Sequence, residues 1–225
     1  MSGPRRLSTA DPGFERAFAA LLADRGRAVP EVNEAVAAIL ATVYAEGDAA
    51  VARHTARFDR LDLTPDQFAV SPAEIEAAAA SVPGDLHAAL DLAARRIEAF
   101  HHAQVPADLV TRDASGMHLG MRWRPLDAVG IYVPGGKAAY PSSVLMNAIP
   151  ARIAGVRRIA MCVPAPGGAL NPTVLATARR AGVTEIYRIG GAQAIAALAY
   201  GTATIAPVDR IVGPGNAYVA EPKRQ

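Results

Sequence analysis

Apolar positions recur at helical spacing through most of the first hundred residues, and this pattern predicts a series of helices. The predicted helices cover residues 14–22, 32–43, 49–58, 75–81 and 86–102. Pro30 is expected to lead into the second helix, and Gly47 interrupts the pattern before the third. Ser71 and Glu74 have the spacing of a capping box, with Pro72 at the first helical position of the fourth. Residues 105–122 are expected to be irregular or weakly β.

From residue 125 onward, short apolar runs alternate with stretches that have the character of helices. Strands are predicted over residues 128–133, 158–163, 185–189 and 210–212, and helices over residues 142–154, 172–181 and 192–200. Pro150 should kink or end the first of these helices, because proline removes a backbone N–H. Strands joined by helices form a parallel sheet with right-handed crossovers, so the predicted fold class is α/β.

Three strand ends are rich in glycine, at residues 133–136, 189–193 and 212–216. Ligands of parallel α/β sheets bind beyond the carboxyl ends of the strands, where these segments meet. Glycine lets backbone N–H groups approach a ligand closely, and the N-terminus of the following helix favours an anionic group. The three segments therefore predict one site for a nucleotide or phosphate. The glycines at 167–168 are interpreted as part of a simple turn.

Charge and cysteine content narrow the class of protein. The 225 residues carry a formal net charge of +2 with acids and bases interspersed, so no nucleic-acid partner is expected. The single cysteine, Cys162, excludes an internal disulfide framework and fits a reducing compartment. We find no signal-peptide pattern in residues 1–12 and no apolar stretch of transmembrane length. We therefore expect a cytoplasmic protein with no membrane partner.

Three polar residues near the glycine-rich segments are candidates for ligand contacts. Gln193 opens a helix made almost entirely of Ala, Ile and Leu, so its amide is expected to face the cleft. Asn216 is explained either as a helix N-cap or as a hydrogen-bonding residue for a cofactor. Tyr132 ends a strand, where it either contacts a flat ligand or packs as a core tyrosine. The residues alone leave both of these alternatives open.

Other signals for chemistry are weak. Lys137, Tyr140, Ser142 and Ser143 could serve a phosphate, but they fit a solvated lysine and an ordinary helix start equally well. The glycines at 213 and 215 begin a dinucleotide fingerprint that lacks its third glycine. No histidines pair at helical spacing for a metal, and the cysteine lies inside an apolar strand, as a buried inert thiol would. We predict no catalytic residue and no metal ligand in this chain.

Four long segments resemble histidinol dehydrogenases, and they occur in the family's order. They cover residues 125–136, 140–151, 190–202 and 208–216, with weaker echoes at residues 58–59 and 100–104. The resemblance spans nearly the whole chain and is densest between residues 125 and 218. It implies a helical region over residues 1–124 that belongs to a first domain, followed by a Rossmann-like NAD-binding domain over residues 125–225. This α/β fold would be incomplete relative to the family.

The resemblance also implies an activity, namely NAD-dependent oxidation of L-histidinol to L-histidine through histidinal, at the end of histidine biosynthesis. Family members are homodimers with a bound zinc ion. The positions that match the family's NAD contacts are Tyr132, Gln193 and Asn216. The family's zinc ligands, its acid/base pair and its substrate-binding residues lie further along than residue 225. The alternative is a non-catalytic nucleotide-binding or interaction fragment, or an inactive remnant.

Two further expectations come from comparing the chain with the family pattern. Pro222 stands where the family carries a helix-compatible residue, and a proline in a helix interior costs about 3 kcal/mol. We also expect the chain to correspond to an amino-terminal half. Its amino-terminal helices would then pack on sheet supplied by the other half, which predicts exposed apolar surface and poor solubility.

Overall fold

The computed structural model describes residues 6–135 and 139–225, and over residues 24–29 it describes only the backbone. The helices are α1 Phe14–Glu46, α2 Asp48–Asp59, α3 Pro72–Ser81, α4 Gly84–His102, α5 Pro141–Ile153, α6 Pro172–Ala181, α7 Gly191–Tyr200 and α8 Ala217–Arg224. The strands are β1 Leu109–Arg112, β2 His118–Met121, β3 Ala128–Tyr132, β4 Arg158–Cys162, β5 Glu185–Tyr187 and β6 Arg210–Val212. Short 3-10 turns lie at Pro65–Gln67 and Pro166–Gly168.

The central sheet has four parallel strands in the order β5-β4-β3-β6, which confirms the α/β prediction. Side chains of successive strand residues point to opposite faces, and β4 shows this alternation clearly. Ala160 and Cys162 belong to one apolar core, and Ile159 and Met161 belong to the other. Both faces of the sheet are therefore covered, as expected for a parallel sheet.

The two cores combine residues from both parts of the chain. The first core contains the buried side of α1, part of α2 and most of α7. The second contains residues of α4, α5 and α6, and α3 packs against α6. The amino-terminal helices thus pack on the layers around this chain's own sheet, which differs from our expectation that they need sheet from elsewhere. The division into two domains at residues 124 and 125 stays a prediction.

Pro30, Pro150 and Pro222 lie inside helices of the described structure, and Pro30 changes the predicted elements. α1 runs unbroken from Phe14 to Glu46 through Pro30, so the two helices predicted there are one. The exposed ring of Pro30 does not enter the core, and Val36, Ile39 and other buried residues of the following turns hold the helix against α7. Pro150 lies in the last turn of α5, which ends at Ile153, one residue before the predicted end.

Pro222 lies inside α8, the last helix described. Its ring is buried, and α8 packs against α1 and α7. The neighbouring Lys223 ammonium donates a hydrogen bond of 2.6 Å to the carbonyl oxygen of Gly213. Apolar burial and this hydrogen bond offset the missing N–H of the proline.

The region predicted to be irregular or weakly β contains an antiparallel hairpin, β1–β2, whose residues are all exposed. Paired residues lie on the same face, so Leu109 and Met121 share a face with Thr111 and Leu119. That face carries Leu109, Leu119 and Met121, which are three of the four large exposed apolar side chains on the two strands. The expected exposed apolar surface is therefore present on this hairpin. The amino-terminal helices also carry exposed apolar side chains, among them Leu22, Tyr44 and Phe100.

Among the described residues, every helix is too short or too polar to cross a lipid bilayer.

Candidate nucleotide site

A cleft of about 810 Å³ lies at the carboxyl ends of all four central strands. Its floor and one wall come from Pro134 and Gly135 after β3, Pro164 after β4, and the residues that open α7 and α8. The opposite wall comes from α1 and α2. The cleft therefore brings the three glycine-rich segments together, as the sequence predicts. Gly136 and Lys137 lie outside the described residues.

The glycines make room for neighbouring protein atoms at this edge of the sheet. A Cβ added to Gly190 would lie 2.5 Å from the Cβ of Pro164, and one on Gly135 would lie 2.6 Å from the Pro164 carbonyl oxygen. A Cβ on Gly213 would lie 2.1 Å from the carbonyl oxygen of Tyr132. From the sequence we expected these glycines to allow the close approach of a ligand. In the structure, close packing of the strand ends on one another already requires them.

Tyr132 combines the two roles that the sequence left open. Its side chain is 4 % exposed and belongs to the first core, yet it lines the cleft. The hydroxyl oxygen accepts a hydrogen bond of 3.1 Å from the backbone N–H of Gly191. Burial is the main cause that raises the pKa of Tyr132 to about 12, so the hydroxyl keeps its proton. That hydrogen is available to donate into the cleft.

Gln193 lines the cleft with an amide that has no partner. The residue is 1 % exposed, and both Oε1 and Nε2 are buried without a hydrogen bond among the described residues. Leaving a buried donor or acceptor unsatisfied costs about 1–3 kcal/mol. An unsatisfied amide in an otherwise apolar helix therefore indicates that a bound molecule forms the missing hydrogen bonds of Gln193.

Asn216 precedes α8 and lines the cleft with an exposed side chain. This side chain makes no capping hydrogen bond to the helix. The backbone carbonyl of Asn216 instead accepts hydrogen bonds of 2.9 Å each from the N–H groups of Val219 and Ala220. The structure thus removes the capping explanation for the Asn216 amide and leaves the amide free to contact a ligand.

Polar residues of α1 and α2 also line the cleft, and the sequence analysis assigned them no role. The Thr42 hydroxyl donates a hydrogen bond to the Ile39 carbonyl, and its oxygen lies 2.8 Å from Nε2 of His54. Burial lowers the pKa of His54, which favours the neutral ring. Asp59 ends α2 at the same wall. The only sequence signal for this wall was the weak family echo at residues 58–59.

The remaining candidates lie elsewhere or carry no chemistry. Tyr140, Ser142 and Ser143 do not belong to the described lining of the cleft. Tyr140 directly precedes α5, and the two serines lie in its first turn. Cys162 is fully buried, which raises the pKa of its thiol and confirms the prediction of a buried thiol. Within residues 6–135 and 139–225, no three His, Cys, Asp or Glu side chains gather as a metal-binding group.

The family model for histidinol dehydrogenase matches residues 23–225 of the chain. The chain belongs to the histidinol dehydrogenase family. Histidinol dehydrogenase from Gluconobacter oxydans (strain 621H) is 64% identical over 221 residues, and the one from Rhizobium meliloti (strain 1021) is 60% identical over 220 residues. Each alignment covers 98% of this chain but 51% of the relative. The chain therefore spans about half the length of the curated relatives it matches.

A solved structure supports the same assignment. The crystal structure of histidinol dehydrogenase from Elizabethkingia anophelis superposes with a TM-score of 0.81 at 40% sequence identity. The superposition covers 85% of this chain and 44% of that chain. The resemblance inferred from four sequence segments is thus confirmed, and the α/β fold is that of the amino-terminal part of histidinol dehydrogenases.

Proposed function

We propose that this chain supplies the NAD-binding half of an enzyme that oxidises L-histidinol to L-histidine through histidinal. Family membership supports the reaction, and one structural observation supports the location of the cofactor. That observation is the buried amide of Gln193, which has no partner among the described residues and lies where four strand ends form one cleft. NAD, when bound, supplies the hydride acceptor of the reaction.

In this proposal three side chains hold the dinucleotide. The Gln193 amide offers one donor group and one acceptor oxygen, the Tyr132 hydroxyl offers its proton, and the Asn216 amide offers both types of group. The first two are held rigidly, because α7 is buried and the Tyr132 hydroxyl is fixed by the N–H of Gly191. Rigid polar groups in an apolar cleft bind a ligand without first losing conformational entropy.

The rest of the reaction belongs, in this proposal, to residues that this chain does not carry. The resemblance places the zinc ligands, the acid/base pair and the residues that bind L-histidinol in the second half of the family's sequence. Homodimer formation and a cytoplasmic location are likewise proposed from the resemblance. What this chain contributes by itself is a cofactor cleft.

A second candidate function is a nucleotide-binding or interaction fragment that takes part in no reaction. The observation behind it is the same cleft, whose unpartnered polar groups would bind a nucleotide whether or not a reaction follows. The two candidates differ in whether the chain can be completed into a working enzyme.

A complementation assay separates the two candidates. NADH formation from L-histidinol and NAD would be measured for the purified chain, with and without the carboxyl-terminal half of the Gluconobacter oxydans relative. We expect turnover only with the added half. Turnover by the 225 residues alone would contradict the claim that the second half is required. Lack of turnover after complementation, with both pieces folded, would favour the fragment that takes part in no reaction.

A further inference from the structure

Asp59 is the last residue of α2 and lines the cleft next to the glycine-rich segment that begins α7. Its carboxyl oxygen Oδ2 is buried and has no hydrogen-bond partner among the described residues. Burial raises the pKa of the Asp59 carboxyl, while the backbone N–H of Gly190 acts in the opposite direction. A carboxyl group is thus held partly desolvated beside the backbone that begins α7.

The chemistry of the carboxylate and its surroundings shows which kind of hydrogen-bond partner Oδ2 of Asp59 lacks. The Asp59 charge contributes to the raised pKa of Tyr132, and the unpartnered amide of Gln193 lines the same cleft. A carboxylate only accepts hydrogen bonds, so the missing partner is a donor. A hydrogen bond to a charged acceptor is stronger than one between neutral groups, and burial increases the cost of leaving it unmade.

The basic side chains on the same wall, Arg57 and His54, contact other groups. The guanidinium of Arg57 lies 5.2 Å from the centroid of the Phe58 ring, and the His54 ring stacks on the same phenylalanine. His54 directs its Nε2 to Thr42. No salt bridge to Asp59 occurs among the described residues, so an ion pair does not satisfy its buried oxygen.

We propose that Asp59 binds the dinucleotide directly, by accepting a hydrogen bond from one of its neutral donors. Such donors are the ribose hydroxyls, the adenine amino group and the nicotinamide amide. The inference rests on the proposed function and deepens it, because it makes α2 part of the cofactor site. The cleft then holds the ligand from two sides, with Gln193 on the sheet side and Asp59 on the helical side.

The test compares Asp59→Asn with Asp62→Asn by equilibrium titration of the full chain with NAD. Both variants remove one negative charge from the same stretch of chain, but Asp62 is exposed and lies outside the cleft lining. We expect Asp59→Asn to weaken NAD binding at least tenfold and Asp62→Asn to leave it unchanged.

The same titration with ADP-ribose, which lacks the nicotinamide, shows which part of the dinucleotide donates the hydrogen bond to Asp59. An equal loss for ADP-ribose assigns the donor to the adenosine half or second ribose, and a loss only for NAD assigns it to the nicotinamide.

Thermal unfolding of the same variants separates binding from folding. We expect Asp59→Asn to melt at or above the temperature of the unchanged chain, because it removes a partly desolvated charge. Unchanged NAD affinity in Asp59→Asn would overturn the inference while leaving the proposed function intact. An equal loss in Asp62→Asn would also overturn it, since general electrostatics would then explain the effect. Absence of NAD binding by the unchanged chain would instead overturn the proposed function, and this inference with it.

Discussion

Pro164 lies between two glycine-rich strand ends, and its contacts explain why glycine is needed on both sides. The backbone of Gly190 is extended, so alanine would fit its dihedral angles. The obstacle is space, because the added Cβ would lie 2.5 Å from the Pro164 Cβ and 3.0 Å from its Cγ. At the residue scale, then, the edge of the sheet is shaped by contacts between atoms of the chain itself.

The first prediction concerns this contact. Gly190→Ala should destabilise the chain by about 1–3 kcal/mol, because overpacking forces the proline or the strand end to shift. Urea unfolding would measure the change. Gly84→Ala is the matched control, since a Cβ on Gly84 meets nothing within 4 Å and alanine favours a helix. Equal stability of Gly190→Ala and the unchanged chain would show that the strand ends tolerate the added atom.

Local sequence signals predicted several elements closely. The capping box is confirmed by hydrogen bonds of 3.2 Å from the Glu74 N–H to the Ser71 hydroxyl and 2.9 Å from the Ser71 N–H to the Glu74 carboxylate. Asn171 caps α6 with a 2.9 Å hydrogen bond from the Thr173 N–H, and Gly182 ends that helix in the left-handed conformation. Such signals are reliable because each of these residues forms its hydrogen bonds with backbone groups only a few residues away.

Features that depend on contacts between residues far apart in the sequence could not be predicted in the same way. Pro30 suggested a helix start, but contacts between α1 and α7, far apart in sequence, keep α1 continuous. Gln193, in contrast, could be identified as a candidate from the sequence, because the residues around it in the same helix are apolar. Asp59 was not identified as a site residue, because only the packing of α2 against α7 brings it to the cleft. The sheet side of the site could thus be read from the sequence, and the helical side could not.

The second prediction concerns an ion pair that joins β4 to β5. Nε and Nη2 of Arg158 donate hydrogen bonds of 2.8 Å to the two carboxylate oxygens of Glu185, and Nη1 donates to the Pro207 carbonyl. The hydrogen bonds from Arg158 are the main cause that lowers the pKa of Glu185. The stabilisation is therefore fully present above the ordinary pKa of Glu185, near 4.5, and is lost as the pH falls through the lowered folded value.

Glu185→Gln should accordingly destabilise the chain at pH 7, and the difference from the unchanged chain should shrink as the pH falls below about 4.5. Urea unfolding across this range would measure it. Glu76→Gln is the control, because its ion pair with Arg179 is largely exposed and such pairs contribute little. A difference that stays constant with pH would show that the charge of Glu185 does not contribute to stability.

At the scale of the whole molecule, the apolar face of the β1–β2 hairpin is the clearest departure from a well-covered surface. A two-stranded hairpin gains little stability alone in water, and exposed apolar patches favour association. The side chains on this face include Leu109, Leu119 and Met121, and Trp123 follows them.

We therefore predict that the purified chain self-associates as its concentration rises, as light scattering would show. Replacing both Leu119 and Met121 with threonine should reduce this association without unfolding the chain, because both positions are exposed and threonine suits a strand. Threonine at Tyr44 and Met146, exposed apolar positions outside the hairpin, provides the control. A compact, monodisperse monomer at all concentrations would contradict the prediction.

The central claim is that the cleft of this chain binds NAD through groups that the fold leaves unsatisfied. Titration calorimetry with NAD tests it most directly, on the unchanged chain, Gln193→Met and Thr55→Val. Gln193→Met keeps the side-chain volume and removes the amide. Thr55→Val removes another buried polar group that lacks a described partner, but one outside the cleft lining. We predict NAD binding by the unchanged chain and Thr55→Val, and at least tenfold weaker binding by Gln193→Met with undiminished stability. Equal binding by all three, or no binding by any, would contradict the account.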